Sequence, residues 1–206
     1  AGKAVTTGVQ NTLIGGLAGD AMTTGSYNTA VGKDSSGKVT TGSHNVSVGR
    51  VALRETTTGS YNTALGRSAL ESNTTASNNT AVGYQSLTSN TTGTRNVGVG
   101  YNTLSLNTTA NDNTSVGHDA LDVNTTGASN TALGSSALGA NTTASNNTAV
   151  GYRASNDNTT GTRNVSMGVD AMYQTTTGND LVGIGAEALT RNTTGSNNVA
   201  IGKEAL

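Results

Sequence analysis

The amino-acid sequence has a strict 17-residue period, without an insertion or a deletion, along all 206 residues. If the Asn of each Asn-Thr-Ala-Val-Gly segment is counted as position 1, twelve copies begin, at residues 11, 28, 45, 62, 79, 96, 113, 130, 147, 164, 181 and 198. A fixed period of this kind predicts an ordered stack of identical units rather than a disordered polar chain. We therefore expect a single continuous repeat array over residues 1–206.

Several positions of the unit are nearly constant. Position 5 is always Gly, positions 13 and 14 are always Thr, and position 1 is Asn in eleven of the twelve copies. Position 4 is always aliphatic, and position 9 is Leu or Met in nine copies. The unit is too short for a helical hairpin of ~34 residues or a propeller blade of ~40, and it lacks a 3.6-residue apolar period. The pattern predicts an all-β fold, a parallel β-solenoid (β-roll) of twelve 17-residue coils.

The strand of each coil is predicted in the Asn-Thr-Ala-Val-Gly segment. Side chains alternate in and out along a strand, and the aliphatic residue at position 4 is expected to point inward together with position 2. The predicted core therefore includes Val31, Val48, Leu65, Val82, Val99, Val116, Leu133 and Val150. The Gly at position 5 is expected to turn the corner, because glycine permits a positive φ or a close backbone approach. These predicted turn residues include Gly32, Gly49, Gly66, Gly83, Gly100 and Gly117.

Charge is restricted to one part of the unit. All 23 Lys, Arg, Asp and Glu residues, and all six Tyr residues, fall at positions 6, 7, 10, 11 or 17. We predict that these five positions form the solvent-facing arc of each coil. Positions 12 to 16 and 1 to 5 carry Asn, Thr and Ser but never a charge. This uncharged arc is predicted to contact other subunits or a specialised ligand.

The missing residue types exclude several classes of function. The chain has no Cys, Pro, Trp or Phe, so a disulfide framework, a thiolate metal site and a cysteine nucleophile are excluded. The net charge of −1 gives no electrostatic footprint for nucleic acid or a membrane surface, and no apolar run approaches the roughly 18 residues that span a bilayer. The two His residues occupy different repeat positions, and no Ser stands out as a nucleophile. We predict no enzymatic activity, no metal and no cofactor.

Energetics favour association with other copies. Each coil offers about two large apolar side chains, worth roughly 1.5–3 kcal/mol each when buried, whereas ordering each backbone residue costs about 1–2 kcal/mol. Hydrogen-bond ladders and neighbour interfaces must supply the difference, and a second surface buried against partner chains would add to it. The chain is therefore expected to form a homo-oligomer, with the homotrimer as the expected form.

The repeat also resembles known families. The segment Asn-Asn-Val-Ala-Ile-Gly at 197 to 202 is similar to the head repeats of trimeric autotransporter adhesins, which form left-handed parallel β-rolls packed three to a bundle. The longer unit at 79 to 93, Asn-Thr-Ala-Val-Gly-Tyr-Gln-Ser-Leu-Thr-Ser-Asn-Thr-Thr-Gly, resembles the repeats of bacteriophage tail-fibre and related viral fibre proteins more closely still. The resemblance covers the entire chain, although the adhesin period is nearer 14, and it transfers no catalytic or receptor-binding residue.

Two aromatic rows are candidate ligand contacts. Tyr84, Tyr101 and His118 occupy position 6 of three successive coils, and Tyr27, His44 and Tyr61 occupy position 17 of three others. Coils stacked at ~4.8 Å would turn each trio into a surface row. Such a row could stack on the rings of a cell-surface glycan, or it could simply stabilise the edge of the solenoid.

Ice binding is a second alternative, since regular Thr rows on flat solenoid faces are what ice-binding solenoids use. The two invariant Thr residues are adjacent, however, and adjacent residues of a strand point to opposite faces.

The sequence as a whole predicts a structural fibre or filament shaft that provides rigid reach and surface display for adhesion, outside the cell or on a virion. Ala1 falls at position 8 and Leu206 at position 9 of a unit, so we expect either a segment of a longer fibre chain or copies stacked end to end into a filament. The expected partners are copies of the chain and a cell-surface glycan or receptor; neither nucleic-acid binding nor membrane insertion is expected.

Overall fold

The computed structural model describes all 206 residues and shows an all-β parallel solenoid without a helix. Each 17-residue unit contributes one three-residue strand at positions 2 to 4. The strands are β1 (Thr12–Ile14), β2 (Thr29–Val31), β3 (Val46–Val48), β4 (Thr63–Leu65), β5 (Thr80–Val82), β6 (Val97–Val99), β7 (Thr114–Val116), β8 (Thr131–Leu133), β9 (Thr148–Val150), β10 (Val165–Met167), β11 (Val182–Ile184) and β12 (Val199–Ile201). The prediction of a parallel β-solenoid with one coil per repeat is confirmed.

The strands form a single parallel sheet whose order is the order of the chain, from β1 to β12. Each strand pairs in register with the equivalent strand of the next coil, so that Thr80 lies opposite Val97 and Val82 opposite Val99. Most of the ladder lies outside the strands, which contain only 22 of the 134 backbone hydrogen bonds. Because coils bond to one another around most of their circumference, an extra residue would break the register, which explains the constant unit length.

The strand faces are the reverse of the prediction. Position 3 faces into the coil, and eleven of its twelve residues, two of them Gly, are buried. The predicted core residues at position 4 lie on the outer face, and none of them is buried: Val31, Val48, Leu65, Val82, Val99, Val116, Leu133 and Val150. The physical reason is space, because other side chains fill the interior and leave room only for small residues on the strand. A Cβ atom on Gly98, for example, would lie 2.6 Å from the Oγ atom of Ser86.

The large apolar side chains of the core come from position 9 instead. The side chains of Leu53, Leu70, Leu87, Leu104, Leu121 and Leu138 are fully buried. They pack with small Ala side chains from positions 3 and 8, such as Ala64 and Ala69, in one continuous cluster. The core is thus a column of leucines along the solenoid axis, flanked by residues small enough to let the coil close.

The predicted turn glycines adopt the conformation for which glycine is needed. Gly32, Gly49, Gly66, Gly83, Gly100 and Gly117 have φ angles between 128° and 141°. At Gly100 a Cβ atom would also lie 2.3 Å from the carbonyl oxygen of Gly117 in the next coil. Both reasons given for an invariant glycine at this corner, a positive φ and a close backbone approach, therefore apply.

Three other positions of the coil, 7, 9 and 17, also have a left-handed backbone, although they are rarely Gly. The chain contains 35 residues other than Gly with a positive φ, all at these positions; Asn102, Leu104 and Asp112 have φ angles of 55°, 52° and 62°. Such a conformation costs roughly 1–2 kcal/mol per residue. Each coil therefore carries strain that the contacts with neighbouring coils must offset.

The nearly invariant Asn at position 1 and the first invariant Thr, at position 13, are explained by side-chain ladders. The Nδ2 atom of Asn62 donates to the carbonyl oxygen of Ala76 at 2.9 Å, and its Oδ1 atom accepts the backbone N–H of Asn79 at 3.1 Å. This ladder runs from Asn11 to the backbone N–H of Leu181. In parallel, the hydroxyl of Thr91 donates to the carbonyl oxygen of the equivalent Thr one coil later, at 3.0 Å.

A second Asn ladder runs along position 12 through the buried interior. The Nδ2 atom of Asn90 donates to the Oδ1 atom of Asn73 at 3.0 Å, and the same bond recurs coil by coil as far as Asn158. The next residue in this column is Thr175, and the ladder stops there. The Oδ1 atom of Asn158 and the Oγ1 atom of Thr175 are buried without any hydrogen-bond partner.

Candidate functional surfaces

The charged side chains lie where the sequence predicts them, and none of the 23 is buried. Ion pairs recur between coils, with the base in one coil and the acid at the same position of the next coil. Arg95 pairs with Asp112 at 2.6 Å, and Arg163 pairs with Asp180 at 2.6 Å. Each arginine donates to its carboxylate through two nitrogen atoms. The solvent-facing arc thus carries ion pairs that join equivalent positions of successive coils.

These contacts shift the acidity of the groups that make them. The hydrogen bond from the Arg95 guanidinium, together with its charge, lowers the pKa of Asp112 below its ordinary value. Asp122 behaves in the opposite way, since burial and the neighbouring charge of Asp119 raise its pKa. Asp122 borders a shallow groove left by Gly139 and Ala140 in the next coil. No group of three or more His, Asp or Glu side chains is placed to hold a metal ion.

The two aromatic trios form the surface rows that the period predicts. The rings of Tyr27 and His44 are 4.8 Å apart between centroids, and those of His44 and Tyr61 are 4.9 Å apart. In the other row the separations are 5.4 Å from Tyr84 to Tyr101 and 5.0 Å from Tyr101 to His118. All four ring pairs are nearly parallel, with interplanar angles of 15° or less.

This stacking determines which part of each ring a ligand can reach. The faces of the inner rings are covered by the neighbouring rings, and the outer face of Tyr84 carries the guanidinium of Arg67 at 5.5 Å from its centroid. Tyr101 nevertheless remains half exposed, so its edge and hydroxyl meet solvent. The rows therefore offer a ligand phenol hydroxyls and imidazole nitrogens along most of their length, and a free ring face only at their ends.

The outward residues of the sheet form a second surface, here called the aliphatic strip: the side chains at positions 2 and 4 of all twelve coils. Position 4 supplies twelve aliphatic residues, and position 2 supplies seven Thr and five Val. Leu133, Met167 and Val48 on the strip are 47%, 41% and 39% exposed. No charged residue interrupts the strip. The columns at positions 17 and 6 border it, because these positions lie two residues before and two residues after each strand.

The second invariant Thr, at position 14, forms a third surface. It is exposed in all twelve coils, whereas the hydroxyl of the preceding Thr is occupied by the ladder described above. Neighbouring threonines therefore do point in different directions, as predicted. The bonds that explain the first Thr give no reason for the second to be invariant.

Comparison with known proteins gives no match: no protein-family model, no curated protein and no solved structure matches the chain. The class of protein is thus defined by its fold alone, a tandem-repeat β-solenoid. The structure contains no helix long and apolar enough to cross a membrane.

One group of residues was missed in the sequence. Lys33, Arg50 and Arg67 occupy position 6 of three successive coils, directly before the row of Tyr84. The signal was present, because these residues recur with the period of the repeat, but the near-zero net charge of the whole chain conceals it.

Proposed function

We propose that this chain is a shaft segment of an extracellular or virion fibre, in which the solenoid provides rigid reach and surface display for adhesion. Support for stiffness comes from the ladders, which join every coil to the next through backbone, Asn and Thr hydrogen bonds. The resemblance to tail-fibre repeats is the argument for a virion or cell-surface setting and for adhesion. In this proposal the chain acts passively and has no enzymatic activity.

The observation that carries the proposal is the aliphatic strip. Twelve strands about 4.8 Å apart make it about 58 Å long, and two outward residues per strand make it about 10 Å wide. This footprint of roughly 600 Å², in which seven of the 24 side chains are Thr, approaches the ~800 Å² that each partner contributes to a stable interface. The charged and aromatic columns on its two sides resemble the polar rim of such an interface.

The proposed occupant of the strip is the same strip of other copies, packed parallel and in register as a homotrimer. In a parallel arrangement every coil contacts the equivalent coil of each neighbouring copy, so the 17-residue repeats of the copies stay in register along the whole length. Closed cyclic symmetry is the usual form of such assemblies. The resemblance to adhesin heads, which pack three to a bundle, is the argument for three copies.

The strip can be tested with charge substitutions and a matched control. Light scattering of the unmodified chain is expected to give three times the chain mass of 20.4 kDa. Val48→Glu with Leu133→Glu should yield monomers, because the interface would bury two unpaired charges per copy. Leu106→Glu with Val169→Glu should leave the trimer intact, since these side chains are 47% and 51% exposed but lie off the strip. A monomeric unmodified chain would overturn the proposal, and a dimer would overturn the number of copies.

Ice binding is a second candidate, favoured by the column of exposed Thr at position 14. Twelve copies of the same hydroxyl and methyl group, about 4.8 Å apart, present a regular array to water. A thermal-hysteresis measurement separates the two functions. Hysteresis in the unmodified chain that disappears in Thr92→Lys with Thr126→Lys would favour ice binding, and its absence would exclude it.

A further inference from the structure

In six successive coils, position 6 carries three basic residues followed by three aromatic residues. They are here called the position-6 column: Lys33, Arg50, Arg67, Tyr84, Tyr101 and His118. Because each repeat unit forms one coil, these side chains lie one above the other along the solenoid axis. At ~4.8 Å per coil, the six of them span about 24 Å. Five are exposed and Tyr84 is half-buried. The column thus joins a basic segment to the stacked aromatic row in one straight line.

The three cations of this column differ from most others in the chain. Seven of the eleven Lys and Arg side chains form an ion pair with Asp or Glu. Lys33, Arg50 and Arg67 do not, and each has another cation, rather than an acid, at the same position of an adjacent coil. Only one other cation, Arg191, is without an acidic partner. Unpaired positive charge is therefore concentrated in this one segment of the surface.

Such an arrangement is unfavourable for the isolated chain. Like charges at the same position of adjacent coils repel one another, and most of the other cations of this solenoid are paired with acids. Between residues 28 and 78 the chain carries five Lys and Arg against three Asp and Glu. A local pattern that opposes folding without compensation is a sign of a functional site. A ligand that carries negative charges at a spacing matching the coils would compensate this repulsion.

The aromatic part of the column limits what the ligand can be. Single-stranded nucleic acids gain affinity by stacking bases on free aromatic faces. Here the faces are covered by neighbouring rings and, on Tyr84, by the guanidinium of Arg67. The phenol hydroxyls and the free imidazole nitrogen remain available, and they can hydrogen-bond to the hydroxyl groups of a sugar. The combination favours a linear, negatively charged carbohydrate over a nucleic acid.

We propose that the position-6 column binds an extended acidic polysaccharide that lies parallel to the solenoid axis. The ammonium and guanidinium groups of Lys33, Arg50 and Arg67 pair with its carboxylate or sulfate groups. The phenol hydroxyls of Tyr84 and Tyr101 hydrogen-bond to hydroxyl groups of the adjoining sugars. The Nε2 atom of His118 does the same, since its Nδ1 atom contacts Asp119 at 2.9 Å. The column borders the aliphatic strip and is not part of it, so in the proposed trimer it lies at the solvent-accessible rim of the interface.

Titration calorimetry with four probes tests the proposal: oligogalacturonate for carboxylates, a heparin oligosaccharide for sulfates, maltohexaose as a neutral sugar, and oligo(dT) as a nucleic acid. We expect one of the acidic sugars to bind, with an affinity that falls as salt is added, and maltohexaose not to bind. The better of the two acidic sugars identifies the charged group. Failure of both to bind, or tighter binding of oligo(dT), would overturn the proposal.

Two triple variants make the test specific. Lys33→Gln, Arg50→Gln and Arg67→Gln together should weaken binding by about tenfold or more, at roughly two- to fivefold for each exposed charge pair. Arg95→Gln, Arg163→Gln and Arg191→Gln together change the net charge equally but lie outside the column, and they should alter the affinity less than twofold. An equal loss in both variants would mean unspecific attraction and would refute the site.

Two further measurements keep the result interpretable. Circular dichroism and light scattering of each variant report folding and the number of copies, so that failure of the binding site is distinguished from failure of the trimer. Tyr101→Phe removes one hydroxyl and preserves the stack, and a loss of about two- to fivefold is expected if that hydroxyl bonds to the sugar. An unchanged affinity would exclude the aromatic segment from the site.

Discussion

The interrupted ladder at Thr175 leads to a prediction of increased stability. Asn158 Oδ1 and Thr175 Oγ1 are buried without partners, and an unsatisfied buried polar group costs about 1–3 kcal/mol. In Thr175→Asn, the new Nδ2 atom would donate to Asn158, and the new Oδ1 atom would accept the Nδ2 atom of Asn192 in the following coil. The substitution therefore removes two unpartnered atoms and extends the ladder by two hydrogen bonds.

We expect Thr175→Asn to raise the free energy of unfolding by about 2 kcal/mol, after allowance for the side-chain entropy of ordering the new amide. For a chain of this length, that corresponds to an increase in Tm of about 4–8 °C. Thermal and guanidinium unfolding followed by circular dichroism would measure the change. Amide hydrogen exchange would show whether the added protection lies between residues 158 and 192.

Two control variants bracket this expectation. Thr175→Val removes the unpartnered hydroxyl but leaves Asn158 unsatisfied, so a smaller gain of about 1 kcal/mol is expected. Asn124→Thr introduces the same interruption in mid-ladder, because Asn107 Oδ1 loses its donor, and should cost about 1–3 kcal/mol. A loss in Asn124→Thr without any gain in Thr175→Asn would refute the reasoning at position 175.

Three further tests address other parts of the fold. Leu121→Ala should lower the free energy of unfolding by about 2–5 kcal/mol, because it leaves a cavity in the core. Leu133→Ala on the outer face should lower it by less than about 1 kcal/mol in a monomeric sample. Equal losses in urea unfolding would contradict the assignment of faces. Gly100→Ala should prevent close stacking or cost more than about 3 kcal/mol of unfolding free energy. A Cβ atom on Gly25 would lie 2.4 Å from the carbonyl oxygen of Gly42, but Gly25 has no positive φ and other coils carry Ala at this position, so Gly25→Ala should cost less when both are compared by thermal unfolding. Because the pKa of Asp122 is raised in the folded chain, its charged form destabilises the fold at neutral pH and this penalty is lost as the pH falls through that pKa. Asp122→Asn should therefore raise the unfolding midpoint at pH 7 and leave it unchanged below about pH 3; a uniform shift at both pH values would exclude the titration as the cause.

The sequence predicted those features of the fold that depend on the period. Strict spacing established the coil, its register and its solvent-facing arc, because a residue type that recurs at the same position of every unit must meet the same surroundings each time. The invariant Gly at position 5 was also assigned correctly, since few environments other than a corner with positive φ exclude every side chain. The aromatic rows followed from the same spacing.

The direction of the strand could not be predicted in the same way. Large aliphatic residues at position 4 suggested the interior, and small residues at position 3 suggested the surface. In a narrow coil the opposite holds, since Leu at position 9 and the two Asn columns already fill the space, and only a residue such as Ala64 fits beside them. The volume of the interior depends on how the whole coil closes, and no single segment of sequence contains that information.

The candidate surfaces were predictable in part. The uncharged arc was visible in the sequence, but its division into inward residues and an outward aliphatic strip required the direction of each side chain. The basic segment of the position-6 column is not evident from the total charge or from the set of charged repeat positions. It appears only when the residues at position 6 of successive coils are compared. Whether a cation is paired depends on the residue at the same position of the next coil, as Arg95 and Asp112 show when compared with Arg50 and Arg67.

The left-handed backbone at three positions of each coil has a consequence for how the rod assembles and how it fails under load. A coil without a neighbour carries about 3–6 kcal/mol of conformational strain with no ladder to hold it, so a new coil forms only on the template of one that is already closed. Growth is then sequential from a seed, and the first coil is the slow step. A terminal coil is held by one neighbouring coil, whereas an internal coil is held by two. Under tension the rod therefore unfolds from an end, one coil at a time.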